Sequence, residues 1–183
     1  MIITEFPRDL LMTGAIFGVA AFMWAGWAQE RPPRGLIWHF ILGALGLGGA
    51  ALAAVTIPAA VSSWAEPTAI VFGGTAFAWY TAVFWLEVAA MIVLAAIVAR
   101  RRKRSDLIAP VILAVVGIHF IPLAWVFQQP VFAVAGIVLT AVAVTAARVP
   151  GRAAARSFWC GLPASAILLV AGGVCASAGF DAL

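Results

Sequence analysis

The chain has 183 residues, of which 65% are hydrophobic and only 10% charged, and its mean hydropathy is +1.11. A water-soluble domain of this length could not cover so much apolar side chain, because folding leaves a large surface facing solvent; the bilayer therefore replaces water as the principal solvent. The net charge of +4 would suit nucleic acid only if cations were interleaved with aromatic and polar residues on a soluble surface. Here they stand between apolar runs, and no nucleic-acid partner is expected.

Six apolar runs are read as transmembrane helices of about 20 residues, since backbone in hydrocarbon must satisfy its own hydrogen bonds. The first is Asp9–Ala28. It is read as a retained helix and not a signal peptide, because the N-terminal tail carries Glu5 and Asp9 as well as Arg8 and lacks the usual positive character. The second run, Gly35–Val61, has Gly43, Gly46, Gly48 and Gly49 along it, while Gly14 and Gly18 form a small-residue pair in the first. Such positions let backbones approach closely in lipid, either inside one bundle or at a dimer face.

The third run, Thr68–Ala99, would be about 48 Å long as one straight helix, well beyond a ~30 Å hydrocarbon core. Gly73-Gly74 is the expected break, leaving a short segment near the interface or re-entering it; a tilted unbroken helix is the alternative. The fourth run is Leu107–Phe127, the fifth Val131–Ala147 and the sixth Ser157–Phe180. Pro67, Pro110 and Pro130 stand where helices can begin. Cys160 and Cys175 share the last run, about 22 Å apart along a helix, too far to bridge.

The whole chain, residues 1–183, thus reads as a single transmembrane domain, an all-α membrane protein built as a six-transmembrane-helix bundle. Its orientation follows from its cations. The first loop holds Arg31 and Arg34, the third Arg100, Arg101, Arg102, Lys103 and Arg104, and the fifth Arg148, Arg152 and Arg156; the second and fourth hold none. Cytoplasmic loops carry the excess of Lys and Arg, so both termini are expected outside (N-out/C-out), in the inner membrane of a bacterium. Trp24, Trp27 and Trp38 fall near the inner boundary and Trp64 near the outer one, as an aromatic belt would place them. The Arg100–Arg104 run is a topology determinant and a candidate site for anionic lipid, and Ser105 and Asp106 are expected to cap the helix that follows.

Polar groups at bilayer depth are costly and mark candidate sites. Glu87 is thirteen residues before Arg100, and His119 thirteen after Asp106. These positions lie on antiparallel helices leaving one loop, so both side chains reach similar depth near the midplane. A carboxylate and an imidazole facing each other offset their desolvation by sharing a proton or pairing, and histidine suits proton relay. Tyr80, seven residues before Glu87, shares its helical face, and Thr140 and Ser165 lie at comparable depths. Pro122 frees a carbonyl one turn back, at Ile118, and should kink the helix beside His119. Together Glu87, His119, Tyr80, Thr140 and Pro122 are the candidate proton relay or substrate cavity; the competing reading is a structural polar cluster joining two helices. His39 belongs at the headgroups, about 10 Å from the depth of His119, so the two cannot share a haem, and no cofactor or metal is expected.

The stretch Gly117-Ile118-His119-Phe120-Ile121-Pro122-Leu123-Ala124, with Phe127 following, resembles a segment of small bacterial multi-pass membrane proteins of unknown function. The resemblance implies that His119 and Pro122 belong together, and it transfers no activity. Metal-protease, nucleophile-elbow and phosphate-loop motifs are missing from the sequence, so a non-enzymatic role is expected. Three functions follow as expectations: a proton-linked small-solute carrier or channel, an accessory or assembly subunit of a larger membrane complex, and an intramembrane lipid-modifying enzyme using His119. The bilayer, and either a second copy or a larger complex, are the expected partners.

Overall fold

A computed structural model describes residues 2–100, 106–151 and 153–183. Among them are six helices: α1 Pro7–Ala28, α2 Leu36–Ser62, α3 Thr75–Arg100, α4 Ile108–Val126, α5 Pro130–Arg148 and α6 Arg156–Asp181. Each is long and apolar enough to cross a bilayer. The long third run is divided at its glycine pair. Residues 63–74 form turns, and Gly73 takes φ +80°, a left-handed conformation that glycine adopts without steric cost. Helix α3 then starts at Thr75, and its 26 residues span about 39 Å.

The bundle is built around α1, which packs most extensively on α6 and α2, while α4 packs on α5 and α3 lies against α4. Small residues create the close contacts. A Cβ added at Gly18 would meet the Gly49 carbonyl oxygen at 2.7 Å and the Ala53 nitrogen at 2.8 Å, so α1 and α2 touch backbone to backbone there. Gly14 faces α6 and α2 through Ala176, Gly172 and Thr56, and Gly117 meets Gly136 and Thr140 where α4 crosses α5. Gly14 and Gly18 are therefore spent inside the bundle. The core that results is aromatic, with Phe17, Phe120 and Phe132 in mutual ring contact.

Alternating loops gather at opposite ends, as six crossings require. On the basic end, Arg31 donates to the Gly151 carbonyl and accepts from the Ala155 N–H at 2.8 Å. Ser157 donates to Glu30 at 2.7 Å, and Arg156 pairs with Asp106. On the other end, Gln129 brackets Ile3 through both amide atoms, tying the fourth loop to the N-terminal segment. Arg101, Arg102, Lys103, Arg104, the expected cap Ser105, and Arg152 lie outside the described residues.

Candidate functional site: a cleft with a central ionisable pair

A cleft of about 1250 Å³ separates α1 from α3 and is floored by α4. Its walls are three stripes, each at the 3–4 residue spacing of one helical face. Helix α1 contributes Asp9, Met12, Ile16, Ala20, Met23 and Trp27; α3 contributes Phe77, Tyr80, Phe84, Glu87 and Met91; α4 contributes Ile112, Val116, His119 and Leu123, followed by Phe127 at its C-terminal cap. Phe132 of α5 closes the back, and the turn residues Trp64, Thr68 and Val71 lie over one end.

Two ionisable groups meet in the middle of this apolar wall. The Nδ1 of His119 is 3.0 Å from Oε1 of Glu87, with side chains 14% and 12% exposed. The contact has the distance of an ion pair without the alignment of a hydrogen bond, and Nδ1 has no hydrogen-bond partner among the described residues. The carboxylate thus lies beside the ring nitrogen, out of line with its lone pair or N–H. Such a pair can hold one proton on either partner while remaining neutral overall, which lowers the penalty of burial in hydrocarbon.

The other expected site residues separate. Tyr80 lines the cleft two turns from Glu87, about 10 Å along the axis, with its ring edge-on to Phe127 at 6.0 Å. Thr140 is not on the cleft; its hydroxyl donates to the Gly136 carbonyl at 2.7 Å inside the α4–α5 seam. Ser165 is fully buried and donates to Leu162 at 2.9 Å. Pro122 is exposed on the outer side of α4, which continues through it to Val126. Arg100 ends α3 on the basic end. His39 is exposed beside Gln29, with Nδ1 and Oε1 2.6 Å apart.

Sequence reasoning missed the far end of the cleft. The Asp9 carboxylate accepts from the Thr68 hydroxyl at 2.9 and 3.0 Å and from the Ala69 N–H at 2.7 Å. It thereby clamps the turn segment before α3 onto the first turn of α1. Arg8 beside it donates to the Trp64 carbonyl at 2.8 Å and lies 4.8 Å over the Trp64 ring. A signal was available: an acid in a first helical turn complements the helix dipole and, at a membrane boundary, is free to accept from loop donors.

These features define a polytopic, six-helix integral membrane protein with a laterally placed cleft. Residues 78–175 match the model of a family of unknown function (DUF7010), and the chain belongs to that family. The matched region runs from the first turn of α3 into α6 and contains Tyr80, Glu87 and His119, along with the Gly117–Phe127 segment. No curated protein and no solved structure matches the chain.

Proposed function

We propose that this protein is a proton-linked carrier whose ligand occupies the α1–α3 cleft and whose Glu87–His119 pair takes up and releases the coupled proton. The observation that carries the reading is the 3.0 Å contact between these two groups inside an otherwise apolar wall. An isolated ion at the bilayer centre costs about 2.5–3.5 kcal/mol even on the lenient insertion scale, so ionisable residues there are retained for use more often than for packing. Few other charges face the pair. Arg8 and Asp9 line the cleft at its far end, and Tyr80 lies between.

The test is a proteoliposome assay with an internal pH dye, in which a panel of small molecules is presented under imposed pH gradients. At least one class is expected to drive proton movement, and Glu87→Gln and His119→Ala are each expected to abolish it. Ligand-driven proton movement persisting in both variants would overturn the reading. The location proposed is the bacterial inner membrane with both termini outside, supported by the arginines on the first, third and fifth loops. A cysteine placed at Glu66 should then react with an impermeant thiol reagent added to intact cells, and one at Gly151 should not; the reverse pattern would invert the topology. The Arg100 end, facing cytoplasmic headgroups in that orientation, is proposed to attract anionic lipid.

A further inference from the structure

We propose that the cleft's ligand is a neutral long-chain alcohol, an amphiphile with a hydroxyl head and an apolar tail, reaching the Glu87–His119 pair sideways from the bilayer. This rests on the reading above that the cleft is the ligand site. Four observations point to the class.

The first is length. The cleft stripe on α1 runs from Asp9 to Trp27, eighteen residues or about 27 Å, close to the ~30 Å hydrocarbon thickness. Glu87 and His119 meet this stripe near its middle, since Phe17 of α1 stacks on Phe120 at 5.2 Å. A compact polar solute would engage the pair and leave most of the wall bare. The volume of about 1250 Å³ also exceeds the roughly 300–1,000 Å³ common for small-molecule pockets.

The second is the rim. Ile16 and Met23 line the cleft yet are 54% and 65% exposed, so in a membrane its edge opens onto acyl chains. A ligand arriving along that route stays in apolar surroundings throughout.

The third is charge. While it holds its proton the pair is neutral overall whichever partner carries it, and Arg8 and Asp9 at the far end lie 3.6 Å apart and offset each other. In that neutral state nothing in the cleft would balance a charged head, and an uncompensated buried ion is strongly disfavoured.

The fourth is the hydrogen-bonding character of what remains. Nδ1 of His119 lies against the carboxylate, leaving the imidazole Nε2 and the second carboxylate oxygen to meet a ligand. One of these always accepts, and the other accepts or donates with protonation state. A hydroxyl does both and fits either state, whereas a carbonyl can only accept.

The test uses the full-length protein in phosphatidylcholine nanodiscs and a hexadecanol carrying a photoreactive diazirine in its tail. Labelled peptides are mapped by mass spectrometry, with unlabelled hexadecanol, hexadecanoate and hexadecane as competitors. Labelling is expected on the cleft faces of α1 and α3, suppressed by hexadecanol and not by the acid or the alkane. Glu87→Gln and His119→Ala are expected to weaken hexadecanol competition about two- to tenfold, as loss of one hydrogen bond predicts. The competition arm on the unaltered protein stands even if a variant fails to fold. Equal or better competition by hexadecanoate or hexadecane would overturn the alcohol class while leaving the cleft as a ligand site. Cleft labelling no stronger than that on outward residues such as Trp79 and Trp125 would overturn the ligand-site reading as well.

Discussion

Helices α1 and α3 invert the rule by which soluble proteins are read. The best window of α1 has a mean hydropathy of 1.6, the lowest of the six, yet thirteen residues of the helix are buried. That of α3 reaches 2.5, the highest, and none of its residues is buried. In a bilayer the apolar solvent lies outside, so strongly apolar helices need no protein cover. Interior helices instead carry the small and weakly polar residues that permit close approach. The cleft exists because these two helices differ: α1 is gripped on two sides by glycine contacts, and α3 leans on α4 alone among its extensive contacts, so the space between them stays open.

The difference can be broken first at its tightest point. Gly18→Leu would drive a side chain into the Gly49 carbonyl and Ala53 backbone, where neither helix can yield locally. The expected loss is about 3 kcal/mol or more, at the upper end for overpacking, read as a collapse of the thermal midpoint in mild detergent. An unchanged midpoint would mean that α1 and α2 do not meet there. A smaller effect is expected where α1 reaches toward α3. Asp9→Ala orphans the Thr68 hydroxyl and Ala69 N–H, at about 1–3 kcal/mol, and amide exchange over Thr68–Gly74 should accelerate while that of α1–α6 contacts stays slow. Exchange unchanged over that segment would show that the clamp does not hold it. The smallest effect belongs to the lipid face of α3. Leu86 is exposed, and Leu86→Ala should alter stability by no more than about 0.5 kcal/mol; a large loss would show that another surface covers this face.

The same contrast explains what could be read from the residues alone. Helix count and ends were legible because every crossing needs a long apolar run and every turn needs a charge, proline or glycine. The depth match of Glu87 with His119 was legible because two antiparallel helices share one loop and a fixed rise per residue. Thr140 illustrates what was not. Its depth suggested a cavity, but depth does not report azimuth, and the residue turns toward Gly117 and Gly136 in the α4–α5 seam. Pro122 likewise shares a helix with His119; three residues on, it is offset by only about 60° around the axis, yet it is exposed and off the cleft that His119 lines. The cleft itself was hidden because its α1 wall consists of Met12, Ile16, Ala20 and Met23, residues that any lipid-facing stripe would also contain. Asp9 was read as tail charge because its partners are 59 and 60 positions away, a separation that no local pattern reveals.

The proposed proton site requires Glu87 and His119 to act as one coupled unit in the apolar cleft, and a double-mutant cycle on unfolding stability in bicelles addresses that unit without needing a ligand. Removing either partner leaves an unbalanced ionisable group in a low-dielectric setting, so Glu87→Gln and His119→Ala should each destabilise, and the double variant should lose clearly less than the sum of the two. Losses that add to within about 0.5 kcal/mol would mean that the two groups do not interact and that the proposed proton site is two unrelated residues.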